Sequence, residues 1–196
     1  MILDKGDLAV LENKDFLLQK KIVSEKILVG LDALKHTFKK TFDELPPTHR
    51  IHEYLENNPK ISKGENYMDL PYFILDYPRV FTSSETFAIR SMVLWGHFYS
   101  FTFHVAEGIQ KKIADRLLSS QHHFPNFYIC VNETPWEYHY SRNNYIKISD
   151  LNTEILQDIL HKKPFLKLSI KHNLSTFNES KDHGSLFLRK IFSLIQ

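Results

Sequence analysis

Residues 63–107 read KGENYMDLPYFILDYPRVFTSSETFAIRSMVLWGHFYSFTFHVAE. Aromatic and β-branched residues crowd this stretch, the composition of strands rather than helices. Trp95-Gly96-His97 breaks its densest part. The runs on either side, Thr86–Trp95 and Phe98–Ala106, read as an antiparallel hairpin. Gly96-His97 suits a two-residue type II′ turn, which wants glycine in its first central position. That turn pairs Trp95 with Phe98, Val93 with Ser100, Ser91 with Thr102 and Ile89 with His104. One face then carries Ala88, Arg90, Met92 and Leu94 beside Tyr99, Phe101, Phe103 and Val105, and is apolar apart from Arg90. The face with His104 is mixed. Pro71–Tyr77 reads as another strand, closed by Pro78.

The first third of the chain has a different period. Phe16, Val23, Ile27, Leu31, Leu34, Phe38 and Phe42 recur at spacings of three, four and seven, one face of a long helix over about 14–44. Pro46-Pro47 ends it. The stripe drifts from a strict heptad, so docking on the sheet is expected, with Val23, Ile27, Leu31, Leu34 and Phe38 buried. A short helix is expected over Thr48–Asn57. After the hairpin come a helix over Glu107–Ser120, a strand over Phe127–Val131 and a hairpin joining Trp136–Tyr140 to Tyr145–Ser149. A helix capped by Asp150 or Asn152 should run to Lys162, followed by a strand over Pro164–Lys171 and a terminal helix over Gly184–Leu194. No repeat or linker divides the chain. The expectation is one α+β domain over residues 1–196, with a central, mainly antiparallel sheet and helices packed on it.

Composition narrows the function class. The 196 residues carry 25 basic and 23 acidic side chains, a formal net charge of +2. That balance gives no electrostatic case for nucleic acid or a membrane surface. Tyr72, Phe73, Phe98, Tyr99 and Phe101 could stack bases, but no RNP pattern accompanies them. The opening residues lack the apolar core of a signal peptide, and the longest apolar run, Ser91–Phe103, is too short to span a bilayer. Cytoplasmic residence is the expectation. Cys130 is the only cysteine and lies in the apolar run FYICV, which reads as a buried, inert thiol.

Arg90 is the most useful single residue. A guanidinium amid apolar neighbours needs a partner. Asp76 or a helical glutamate would make it structural. An open guanidinium would instead offer a planar fork to a carboxylate or phosphate. Asp76 and Arg79 flank Tyr77-Pro78 and are close enough to lock a turn by a local ion pair. Alternatively, Lys63, Tyr67, Asp76 and Arg79 meet at the mouth of the sheet. His104 is the histidine best placed for chemistry. Arg90, Asp76, Arg79 and His104 are the candidate ligand-binding residues.

No cofactor or metal is expected. GxSxG, HExxH, the Rossmann glycines and GK[ST] are all absent. His49 and His52 have helical i, i+3 spacing, but no third ligand accompanies them.

The runs KISKGENYMDLPYFILDYPRVF and FAIRSMVLWGHFYSFTFHV together resemble an uncharacterised family of small bacterial proteins. The resemblance covers Lys60–Val105. It implies a free-standing bacterial protein and supplies no activity. Three functions remain: a small-ligand binding protein using Arg90, an enzyme with His104 as base oriented by Asp76, and an interaction protein dimerising through the N-terminal helix. A concave pocket beside an open Arg90 would mark the first. A histidine on a carboxylate inside a pocket would mark the second, and an exposed apolar stripe the third.

Overall fold

The hairpin register decides which side chains share a face. In the computed structural model, which describes residues 2–56 and 58–195, it lies one residue from the expected register. Strand β3 (Thr86–Leu94) pairs with β4 (Phe98–Ala106) as Leu94 with Phe98, Arg90 with Thr102 and Ala88 with His104. Trp95, Gly96 and His97 form a three-residue turn, closed by the His97 N–H donating to the Leu94 carbonyl at 3.2 Å. Gly96 is its central residue and has φ +73°, which glycine adopts without penalty. A one-residue slip turns every side chain of a strand to the other face. Here Phe87, Ile89 and Val93 join Tyr99, Phe101, Phe103 and Val105 on one apolar face. Arg90 and His104, expected on opposite faces, share the other.

The sheet has seven strands in the order β1-β2-β3-β4-β7-β5-β6, all antiparallel. The strands not yet placed are β1 (Lys60–Tyr67), β2 (Leu70–Phe81), β5 (Tyr128–Cys130), β6 (Tyr145–Lys147) and β7 (Phe165–His172). Two strand expectations are corrected. Strand β2 does not stop at Pro78, because a bulge between Asp76 and Arg79 carries it on to Phe81. A bulge leaves one residue out of the ladder, which is where proline is tolerated. Residues 136–140 form no strand, so β6 pairs with β5 instead. Strand β1 was not foreseen, since KISKGENY has little apolar alternation.

The helices are α1 (Lys5–Glu12), α2 (Lys14–Asp43), α3 (Gln110–Ser119), α4 (Thr153–Lys162) and α5 (Ser180–Ile195). Asn13 caps α2 and Asn152 caps α4, each through its side-chain oxygen. The expected short helix appears as a 3-10 turn, Arg50–Tyr54; its expected last residue, Asn57, lies outside the described residues. Ile27, Leu31, Leu34 and Phe38 are buried as the periodicity required, while Val23 is half-buried at the margin. Side chains from α2 to α5 pack into the core built on the apolar sheet face. Gly184 lets α5 approach α2: a Cβ there would sit 2.7 Å from Phe38 Cε1 and 2.9 Å from Leu34 Cδ1. Among the described residues, no helix is long and apolar enough to cross a membrane.

Candidate functional site

One register row crosses all seven strands on the face away from the helices. It runs Lys60, Asp76, Arg90, Thr102, Ser169, Tyr128, Lys147. Partners directly opposite in antiparallel strands project from the same face. The sheet therefore carries a polar ladder, flanked by His104 and Lys167, which oppose each other in the next row. Much of this polar surface is buried, because residues 131–144, an irregular strap between β5 and β6, lie across it.

The strap explains the buried charges. An irregular segment cannot satisfy its own carbonyls and needs donors from elsewhere. Lys167 is 1% exposed, and its Nζ donates to the carbonyls of Pro135 and Glu137. The ammonium also lies 3.9 Å from the Tyr138 ring centroid. Burial, the largest influence, pulls its pKa down to about 7. Lys163 Nζ donates to the Asn132 carbonyl at 2.6 Å. On the β1 side, the Tyr67 hydroxyl accepts from the backbone N–H groups of Tyr138 and His139 and donates to Glu137 Oε2.

Arg90 binds both the sheet and the strap. Its Nε donates to Asp76 Oδ1 at 2.7 Å and its Nη2 to Oδ2 at 2.8 Å, a bidentate pair. Its Nη1 donates to the Tyr138 hydroxyl at 2.7 Å. Burial pulls the guanidinium pKa down, but Asp76 and Tyr138 outweigh it and the net direction is up. The structural alternative for Arg90 is therefore the one realised, with Asp76 as its carboxylate. The expected local ion pair between Asp76 and Arg79 does not form, because the bulge separates them and Asp76 is committed across the ladder.

A cavity of about 260 Å³ opens beside this pair. Its walls are Lys60, Ser62, Asp76, Arg79, Phe81, Arg90 and Trp136. Arg79 reaches it from β2, just past the bulge. Among the described residues Arg79 and Lys60 form no ion pair, and Arg79 Nε is buried without a hydrogen-bond partner. Trp136 comes from the strap, its ring 6.0 Å from Phe81. The cavity thus presents two uncommitted cations, one neutralised cation and two aromatic walls.

Arg90, Asp76 and Arg79 meet in this cavity; His104 does not line it. The His104 ring is covered by Trp136 and Phe165, at 5.8 Å from each. Burial first, then Lys167 and Arg90, lower its pKa to about 4. Its Nε2 has no partner, and no carboxylate lies within 4.0 Å of it. Asp76 orients Arg90, not His104, so the expected His104–Asp76 arrangement is absent. The alternative quartet also fails to converge. Lys63 pairs with Phe73 on the helix-covered face, and Tyr67 anchors the strap. Lys60, Ser62 and Trp136 were missed. Lys60 lacked an assigned strand, and only the tertiary path of the strap brings Trp136 over the sheet.

Three other histidines, His123, His172 and His183, gather elsewhere. His172 and His183 stack at 4.1 Å beside a second cavity of about 360 Å³, also lined by His123 and Lys190. His183 Nδ1 is hydrogen-bonded to the Tyr99 hydroxyl, and its Nε2 lies 3.7 Å from Glu179. The 3.7 Å separation from Glu179 is beyond hydrogen-bond distance, and His172 Nε2 is buried without a partner. Stacked imidazoles direct their lone pairs side by side rather than at one point, which does not suit a shared metal. His49 Nδ1 accepts from the Ile51 N–H and His52 Nε2 bonds the Pro46 carbonyl, while His49 Nε2 is buried without a partner. Among the described residues, no group of three or more His, Cys, Asp or Glu side chains is arranged to hold a metal ion.

Comparison with known proteins finds no matching family model, no similar curated protein and no similar solved structure.

Proposed function

We propose that this protein binds a small anion, a carboxylate or a phosphate, in the cavity between β1, β2, β3 and the strap. The observation that carries the reading is Arg79, a guanidinium with no ion pair lining a cavity beside a second unpaired cation, Lys60. Such cations recruit anions, and a guanidinium does so with directional hydrogen bonds. Phe81 and Trp136 favour an anion attached to an aromatic or other flat apolar group. Asp76 is occupied by Arg90 and presents little free negative charge to repel it.

The non-catalytic reading is preferred to an enzyme because the cavity holds no free base. His104 lies outside it, and the carboxylate inside it is paired. We place the protein in the bacterial cytoplasm on the resemblance and on its use of cysteine. A lone buried thiol fits a reducing compartment.

Thermal shift and calorimetric titration with phosphate, acetate, benzoate and phenyl phosphate test the reading. Millimolar stabilisation should be strongest for the aromatic anions. It should vanish in Arg79→Ala and weaken in Lys60→Ala. An anion response of equal size in Arg79→Ala, or none in the wild type, overturns it.

A further inference from the structure

The N-terminal arm is too apolar to stand alone. No residue of α1 is buried. Leu8, Val10, Leu11, Phe16, Leu18 and Ile22 are each between 42% and 64% exposed. At 100° per residue, Leu18, Ile22 and Val29 lie together on the side of α2 opposite the core stripe of Leu31, Leu34 and Phe38. A helix apolar on both sides is normally covered on both. Nine large apolar residues between Ile2 and Ile22 are exposed. At roughly 100 Å² each, an area whose burial is worth about 2.5 kcal/mol, they present at most about 900 Å² per copy, spread over more than one side of the arm. A stable interface takes about 800 Å² from each partner.

Charge identifies the partner. Residues 2–12 hold Lys5 against Asp4, Asp7 and Glu12, one minus three, a net −2. Residues 14–26 hold Lys14, Lys20, Lys21 and Lys26 against Asp15 and Glu25, four minus two, a net +2. The arm as a whole is neutral, so it lacks the basic face by which interfacial helices hold anionic membranes. It is instead complementary to itself. We propose that two copies exchange arms, the acidic α1 of each lying along the basic first half of α2 of the other. This contact is two-fold symmetric and closed, and it buries the apolar residues of both arms.

Sedimentation and light scattering on the full chain decide it. The wild type should run at twice 23.2 kDa at micromolar concentration. The double variant L18E/I22E alters exposed residues only. It should run as a monomer, its dimer weakened at least about 100-fold, with an unchanged circular dichroism spectrum and a melt equal to that of wild type diluted until it is monomeric. The double variant K21E/K26E leaves the Lys20–Glu65 ion pair intact. It should weaken the dimer about tenfold by removing the complementarity. A monomeric wild type overturns the proposal, as does a dimer of undiminished strength in either variant. Co-flotation of a monomeric wild type with anionic vesicles overturns it in favour of a membrane surface. None of these readouts involves the cavity, so the anion reading stands or falls separately.

Discussion

Arg90→Ala separates the structural role of this residue from a ligand role. The Asp76 side chain is 7% exposed, and both its oxygens are bound by Arg90. Removing the guanidinium leaves a buried charge with no partner. Breaking a buried pair in this way costs about 3–5 kcal/mol. The Tyr138 hydroxyl loses its donor as well, and the strap loses a tie to β3. A domain of this size shifts by about 2–4 °C per kcal/mol, so the melting temperature should fall by roughly 6–20 °C. The assay is a thermal melt in the absence of any anion, with urea titration as a second measure. The double variant D76A/R90A supplies the control. With both charges gone no orphan remains, so it should be no less stable than Arg90→Ala, with a coupling of about 2 kcal/mol or more. An Arg90→Ala melt within a degree of wild type would refute the argument. It would mean that the Arg90–Asp76 pair contributes no net stability.

Three further outcomes follow from the same geometry. The folded pKa of His104, about 4, lies below its ordinary value of 6.5. Its contribution is therefore complete above pH 6.5 and lost as pH falls toward 4, by about 3 kcal/mol in total; His104→Phe should flatten that part of the profile in urea melts at pH 7 and 4.5. Lys167→Met strips two strap carbonyls of their donor and should loosen the strap. Cys130, 1% exposed beside Tyr140, is the reporter: a thiol reagent should be near-inert toward the native wild type and react at least about tenfold faster with the variant. Gly184→Ala gains about 1 kcal/mol of helix propensity but drives a methyl into Phe38 and Leu34. A net loss of about 1–3 kcal/mol is expected by denaturant titration, and an unchanged midpoint would show that the α2–α5 contact yields easily.

The elements with a strong period were legible in the sequence. Helix α2 runs over Lys14–Asp43 against an expected 14–44, because its core stripe repeats through several turns and prolines follow it. The class, an antiparallel sheet with helices packed on it, came from β3 and β4 in the same way. What failed was register. A turn of two or three residues around Gly96 satisfies the local chemistry equally, since glycine suits either position. The longer turn brings Phe87, Ile89 and Val93 of β3, in place of Arg90, onto the helix-covered face beside Phe101, Phe103 and Val105. Arg90 was singled out as needing a carboxylate, and Asp76 as able to supply one. The slip nevertheless placed Arg90 among the aromatic residues of β4 and set His104 on the opposite face. Lys60 gave no signal, because it sits in a strand without alternation, and Trp136 read as the start of a hairpin strand where the structure has an irregular strap.

The polar ladder and the strap account for each other. Three helices and part of a fourth cover one face of the sheet with side chains that need no hydrogen bonds. A strap of irregular backbone could not cover an apolar face, since its carbonyls would be buried without donors. It can lie over a face that supplies Lys167, Arg90 and Ser169, whose partners are strap carbonyls and the hydroxyls of Tyr138 and Tyr140. The ladder in turn would be an exposed row of charges and hydroxyls without the strap. The cavity opens where that mutual satisfaction stops. Beyond Trp136 the strap no longer reaches, and there the row still presents Lys60, with Arg79 beside it, unpaired. Cations left over at the end of a network that otherwise satisfies its members are where an anion from outside gains most. That is the reason to test the proposed anion binding at the β1–β2 edge rather than at the larger cavity beside His172 and His183.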